Sequence, residues 1–338
     1  MTKSTHIPLS ASELSNLWMT YQHQTMQMRF LEHFLEHAED DEINEMLKKS
    51  YDSCGETVDR IINFFHLDGA VIPVGFTERD FIKGTPKLFD FLYEVMFLHM
   101  ISKIGTSLFS LYSTMSYRQD IRKFYRELTS TYQMEFDLSA QFLLEKGVLA
   151  RPPYVTMPQK VSFVEDTNYL SGLNIFKEKR SLNTVELSLI HHAIETNLTG
   201  MQLMMGFAQV ARDEKVKEYF VKGMKLSKEV ETTLGEYLRR DYIEPPATHA
   251  GKATNSTTPP FSDKIMMYIT SLLSTFGLGS HALGGAFSLR SDLPLTMAKL
   301  AQQIFSFAKE GGEIMIKNGW MEEPPQVEDR QQLTKPGR

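Results

Sequence analysis

The feature that most constrains the fold is a long run, residues 265–289, that contains no formally charged side chain. A run of this length can cross a bilayer, and it would equally suit the centre of a helical protein. Glycines and hydroxyl side chains within it lower its hydrophobicity, which favours the protein interior. A membrane helix is the alternative, because Ser280 and Gly284 have the spacing of small residues that pack membrane helices closely.

The overall composition is that of an ordinary globular protein. The chain has 338 residues, a length typical of two domains, with 42% hydrophobic and 23% charged residues. Its net charge of −6 offers no basic surface for nucleic acid. The N-terminal residues contain no apolar stretch of signal-peptide length, so we expect a cytoplasmic protein. Cys54 is the single cysteine and cannot form an internal disulfide.

Apolar residues recur at steps of three and four along the first half of the chain, as on the buried face of an amphipathic helix. The pattern predicts four long helices, over residues 10–37, 39–66, 87–115 and 120–146. Residues 151–180 have prolines and mixed charge without a sustained period, which indicates an ordered connector.

The helical pattern then starts again, because the second half of the chain repeats the first. Residues match at an offset of 173 in the first two helices and at 172 from the middle of the third. Matched pairs include Leu9 with Leu182, Glu13 with Glu186, Met28 with Met201, Phe34 with Phe207, Gly105 with Gly277, Leu111 with Leu283 and Pro152 with Pro324. So long a match indicates a tandem repeat of about 150 residues.

The repeat decides where the uncharged run belongs. Its counterpart, residues 92–116, carries Glu94, His99 and Lys103, which a bilayer would not accept. Both copies are therefore predicted to be the third helix of a four-helix bundle. Gly105 and Gly277 each lower helix propensity by about 1 kcal/mol relative to alanine, so we expect a close helix–helix approach at both.

Carboxylates and histidines on helices raise the question of a bound metal. The di-iron site of helical bundles needs Glu-x-x-His on two helices, and no histidine here has an acidic residue three positions before it. Glu32, His33, Glu36 and His37 do have a spacing that can hold zinc. The second repeat does not keep this set, which favours a charged helix face instead.

A smaller cluster on the fifth helix, His191 and His192 with Glu195, is open to the same two interpretations. Gln24 and its counterpart Asn197 are predicted to point inward, because both fall near the centre of their helices' apolar faces. A buried amide needs partners. A structural hydrogen bond across the bundle is favoured over the polar floor of a ligand pocket.

The turn from the third to the fourth helix also repeats. Arg118 and Asp120 in the first copy match Arg290 and Asp292 in the second. The aspartates are predicted to be N-caps of the fourth helices, and the arginines to bind carbonyls or carboxylates of the turn. No phosphate-binding loop, nucleophile elbow or paired-cysteine site is present in the sequence.

Six segments carry a resemblance to a known family. They are Phe34-Leu-Glu-His-Ala-Glu-Asp, Ile72-Pro-Val-Gly-Phe-Thr, Lys103-Ile-Gly, Arg118-Gln-Asp-Ile-Arg, Lys146-Gly-Val-Leu-Ala-Arg-Pro-Pro and Ile316-Lys-Asn-Gly-Trp-Met-Glu-Glu-Pro-Pro. These segments resemble the domain-of-unknown-function family numbered 3231, over nearly the whole chain. The resemblance implies ferritin-like bundles, often in tandem, in an endospore-forming host, with some members described as spore-coat proteins. It brings no catalytic residues.

These observations predict an all-α protein of two tandem ferritin-like four-helix bundles, related by a repeat of 172–173 residues: residues 1–150, a connector at 151–180, and residues 181–338 with a polar tail. The preferred function is a non-catalytic structural or interaction protein, coat-like, in the mother cell or spore. A small-ligand-binding bundle is the first alternative and a metal-dependent enzyme with a non-standard site the second. Protein partners or self-association are expected; a cofactor, nucleic acid and a membrane span are not.

Overall fold

The computed structural model describes residues 7–90, 92–173, 179–247 and 251–334, and within them the fold is almost entirely helical. The first repeat contains α1 Ala11–His37, α2 Asp41–Asp68, α3 Tyr93–Thr114 and α4 Gln119–Glu145, and the second contains α5 Thr184–Val210, α6 Glu214–Arg240, α7 Asp263–Phe287 and α8 Asp292–Lys317. A short α9, Arg330–Leu333, and two strands, β1 Phe89–Asp90 and β2 Lys252–Ala253, are the other main elements. The predicted all-α, two-repeat layout is confirmed.

The two repeats begin in the same way, which reflects their matched sequences. Ser10 caps α1 and Asn183 caps α5, each accepting a hydrogen bond from the backbone of the glutamate three residues later. Glu13 and Glu186 each accept a hydrogen bond from the backbone of the cap residue. Each pair is a capping box, which satisfies backbone groups that have no partner within the helix.

The repeats share a central apolar core, and each also has a smaller apolar cluster of its own. Phe30 of α1 lies 5.2 Å from Phe97 of α3, 6.1 Å from Phe207 of α5 and 4.3 Å from Phe261, measured between ring centroids. All four side chains are buried. Aromatic rings at these separations add to the stabilisation that burial of their area provides.

The loops that precede α3 and α7 bind one another across the two repeats. β1 and β2 pair antiparallel, with Phe89 opposite Ala253. Close by, the Ser262 hydroxyl donates to Asp80 at 2.6 Å. Each long loop therefore finds backbone partners in the other repeat, so the two halves are held by hydrogen bonds as well as by the common core.

The helix formed by the uncharged run is buried over only part of its length. Ile265, Met266 and Ile269, near the start of α7, are fully buried, whereas Leu283 and Phe287 near its end are 55% and 61% exposed. Among the described residues, one helix, α3, is long and apolar enough to cross a membrane, and 61% of its apolar stretch is buried, as in the core helix of a globular protein.

Candidate functional site

An apolar groove lies between the later turns of α3 and α7, with two residues of α5 completing its wall. Its volume is about 380 Å³, within the range of ligand and partner sites. Ile104 and Leu108 line it from α3, and Leu272 and Phe276 from α7. The groove therefore runs along the boundary of the two repeats.

A polar cluster lies at one end of this groove and also joins the repeats. The Lys103 Nζ atom of α3 lies 3.0 Å from Oε2 of Glu195 on α5, and the His99 Nε2 atom lies 3.5 Å from Oε1 of the same carboxylate. Burial raises the pKa of Glu195, but the bond from His99 and the charge of Lys103 outweigh it and lower that pKa to about 2. The paired charges leave the rest of the groove apolar.

His191 and His192 do not form a metal cluster with Glu195. Burial lowers the pKa of both imidazoles. The positive charge of Lys103 also lowers it, and the negative charge of Glu195 offsets part of the decrease. The His192 ring lines the groove and meets Phe276 edge-on at 6.1 Å. Glu195 binds Lys103 and His99 of the first repeat, whereas His192 lines the groove. The residues of this cluster therefore make separate contacts.

The rims of the groove are exposed and apolar. Leu111 on α3 and Leu283 on α7 are 53% and 55% exposed, and their positions correspond in the repeat. Met115 and its counterpart Phe287 continue the two rims at 38% and 61% exposure. Contiguous apolar side chains at a groove mark a contact surface more often than scattered single ones do.

The last two histidines of α1, His33 and His37, bind the loop that leads into β1. His33, Glu36 and His37 place their ligand atoms within 4.8 Å of one another, the one group of metal-binding type within the described residues. The Leu88 amide donates to His33 Nε2 at 3.4 Å, and His37 Nε2 lies 3.0 Å from the Thr85 carbonyl oxygen.

Glu36 completes the same tether, because it accepts from the Gly84 amide at 3.1 Å. Burial, with lesser contributions from His37 and Lys87, lowers the pKa of His33 to about 3, so its imidazole is neutral. Glu32 turns elsewhere and binds Tyr51 and Arg29. His33, Glu36 and His37 thus each have a hydrogen-bond partner in the loop, and these bonds explain why the three side chains lie together.

The centre of the first repeat holds a buried polar chain around Gln24. The Gln24 Nε2 atom donates to the Tyr132 hydroxyl at 2.8 Å, which donates to Gln27 Oε1 at 2.6 Å. Gln27 Nε2 in turn donates to Ser50 at 3.1 Å. Glu135 bonds the same serine, and burial raises the pKa of Glu135 to about 7. One carboxylate among amides and hydroxyls does not fit a di-iron centre, which needs several carboxylates.

The second repeat departs from this arrangement. Asn197 is half-buried and donates to the Ala193 carbonyl of its own helix at 2.8 Å, so it makes no bond across the repeat. A Cβ at Gly105 would overlap the Tyr132 ring, so this glycine leaves room for a side chain of α4 to pack directly on α3. Gly277 has no such side chain against it. The nearest atom to a Cβ there is Ile304 Cδ1 at 3.8 Å, because isoleucine is shorter than tyrosine.

The turn between the third and fourth helices is held by the glutamates that open each repeat. Oε1 of Glu13 accepts from the amides of Tyr117 and Arg118, and Oε1 of Glu186 accepts from those of Leu289 and Arg290. Sequence reasoning missed this contact, although each glutamate belongs to a capping box and matches the other in the repeat.

The prediction that Asp120 and Asp292 are N-caps is wrong. Arg118 occupies the N-cap of α4, and Asp292 is the first residue of α8, because each helix begins earlier than expected. The aspartates pair with arginine instead: Arg118 reaches Asp120 and Asp68, and Arg290 Nε reaches Asp292 at 2.9 Å. The arginines thus bind the carboxylates of the turn.

Comparison with known proteins places the chain in a family. The model of a family described as "Protein of unknown function (DUF3231)" matches residues 1–161 and 170–333. None of the curated proteins compared with the chain matches it. A solved structure from Bacillus halodurans C-125, described as a "putative spore coat protein", is 19% identical with a TM-score of 0.42 and covers 44% of this chain and 98% of its own. Since the family match spans nearly all of the sequence in two tandem regions, the chain belongs to the DUF3231 family.

Proposed function

We propose that the protein is a non-catalytic structural protein that self-associates through the groove between α3 and α7. The observation that carries this proposal is the pair of exposed apolar rims that border the groove. Exposed apolar patches of this kind are uncommon in soluble monomers, because covering them removes apolar area from water.

A second copy of the chain is the partner that the repeat favours. Leu111 and Leu283 are equivalent residues, as are Met115 and Phe287, so the two rims present similar chemistry on either side of the groove. Because the two rims are alike, this surface can form a two-fold symmetric dimer. In such a dimer one rim of each copy packs into the groove of the other. The neutralised polar cluster at the groove's end leaves no unpaired charge to oppose this contact.

Light scattering coupled to size-exclusion chromatography tests self-association. We expect a dimer at micromolar concentration and a monomer for Leu283→Glu, since the substitution places a charge in the apolar contact. Leu138 on α4 is 54% exposed and lies outside the groove, so Leu138→Glu is the matched control and should stay dimeric. A monomeric wild-type protein, or equal loss of the dimer in both variants, would refute the proposal.

The sporulating cell is the setting that we propose, because the family resemblance implies an endospore-forming host. The similar Bacillus halodurans protein bears a spore-coat description, and we extend that role to this chain only as a proposal. A tagged copy should accumulate during sporulation and remain with purified spores. Uniform production during vegetative growth, with none retained in spores, would remove the coat role and leave self-association standing.

A further inference from the structure

The centres of the two repeats differ although their sequences match. In the first, Tyr132 lies against Gly105 and its hydroxyl joins Gln24 to Gln27. The Tyr132 side chain is fully buried, and so are both amides. Here the interior is filled, because the tyrosine ring occupies the space that the glycine leaves open.

The counterparts of this tyrosine and of both amides are shorter in the second repeat. Ile304 stands at the position of Tyr132, Gly200 at that of Gln27 and Asn197 at that of Gln24. Around Gly277 the nearest heavy atom to an added Cβ is 3.8 Å away, and around Gly200 there is none within 4 Å. The atoms lost at these positions leave a cavity of about 70 Å³ between α5, α6, α7 and α8.

The lining of this cavity is uncharged and offers mainly hydrogen-bond acceptors. Met204, Leu273 and Phe307 supply apolar wall, and among the described residues no charged side chain lines it. The hydroxyls of Thr270 and Ser274 donate to carbonyls of their own helix, which leaves their oxygens able to accept. Asn197 likewise donates an N–H to its own helix, so its carbonyl oxygen is available to accept.

We propose that this cavity is a binding site for a small neutral alcohol, with its hydroxyl directed to Asn197 and the hydroxyl oxygens and its carbon atoms against the apolar wall. The volume of about 70 Å³ limits the size of the ligand. A dry cavity of about 150 Å³ accommodates benzene, so the ligand here must be smaller than benzene. The ligand therefore has about three to five heavy atoms within the cavity. This site is separate from the groove and does not depend on self-association.

Titration with 2-fluoroethanol, an alcohol of four heavy atoms, followed by fluorine NMR at millimolar concentration, tests the site. We expect saturable binding to the wild-type protein with a Kd in the millimolar range, as suits so few contacting atoms. Ile304→Tyr should weaken it at least tenfold, because the ring would lie against Gly277 as Tyr132 lies against Gly105. Ile304→Val enlarges the cavity and should keep the binding, which separates filling from general damage to the fold.

The outcomes of this titration are distinct. Absence of saturable binding to the wild-type protein would mean that the cavity holds water only, and the proposal would fail. Equal binding to wild type and Ile304→Tyr would place the alcohol elsewhere, which also overturns it. Leu283→Glu, which alters the groove, should leave the titration unchanged, so failure here and failure of self-association can be told apart.

Discussion

Replacing Gly105 and Gly277 by alanine, one at a time, should change stability in opposite directions. The two glycines are equivalent residues in the middle of α3 and α7, so their helix propensities are the same. Only their neighbours differ. An added Cβ at Gly105 would overlap the ring of Tyr132, whereas at Gly277 it would make an ordinary contact with Ile304 at 3.8 Å.

The expected magnitudes follow from these contacts. Each substitution gains about 1 kcal/mol of helix propensity. At Gly105 the tyrosine must move, which costs about 1–3 kcal/mol as overpacking. Displacing its hydroxyl also removes the partner of Gln24 and Gln27, at about 1–3 kcal/mol for buried groups left without a bond. Gly105→Ala should therefore lower the free energy of unfolding by about 1–5 kcal/mol, and Gly277→Ala should raise it by about 1 kcal/mol.

Urea unfolding followed by far-ultraviolet circular dichroism measures both changes, provided that the denaturant slope is the same in all three proteins. Thermal unfolding gives a second reading, at about 1.5 °C per kcal/mol for a chain of 338 residues. Shifts of the same sign in the two variants would refute the reasoning, because they would mean that Tyr132 does not close the space beside Gly105.

Three further predictions concern ionisable groups. Burial alone would raise the pKa of Glu186, yet its bonds to Arg180 and the backbone lower that pKa from 4.5 to about 2. The free energy of unfolding should therefore fall as pH drops from 4.5 to about 2, and Glu186→Gln should make its dependence on pH flatter in this range. Burial raises the pKa of Glu135 from 4.5 to about 7, so the wild type should lose stability as pH rises between these values and Glu135→Gln should remove the loss, both measured by urea midpoints. Protein from iron- and zinc-supplemented medium should hold no stoichiometric metal by elemental analysis, because His33 and His37 already bind the loop, and one metal per chain that disappears in His37→Ala would contradict this.

The fold is predictable from the sequence because it depends on periodicity, whereas the contacts between distant residues are not. The offset of the repeat alone makes residues 265–289 equivalent to the third helix of the first half. Glu13, by contrast, receives the amides of Tyr117 and Arg118 from more than a hundred residues away. Local spacing alone predicts Asp120 as the N-cap. It cannot show that tertiary packing brings the carboxylate of Glu13 to the start of α4 instead.

The same limit applies inside the repeats. Gly105 and Gly277 are identical in sequence, and the expectation of close packing at both follows from that identity. Packing at a glycine depends on the residue that faces it from another helix, here Tyr132 in one repeat and Ile304 in the other. The repeat shows that Tyr132 and Ile304 are equivalent residues. Only the tertiary structure shows that they face the two glycines, and therefore that their difference in size changes the packing there.

The shared core explains how the chain can keep a hollow second repeat. At about 24 cal/mol per Å³, a cavity of about 70 Å³ lowers stability by about 1.5–2 kcal/mol. The core that both repeats build offsets this loss, because Phe30 of the first packs against Phe207 and Phe261 of the second. Separating the repeats would expose those rings and break the pairing of β1 with β2. Each half therefore draws part of its stability from the other, and the contacts with the first repeat help to stabilise the copy that carries the cavity.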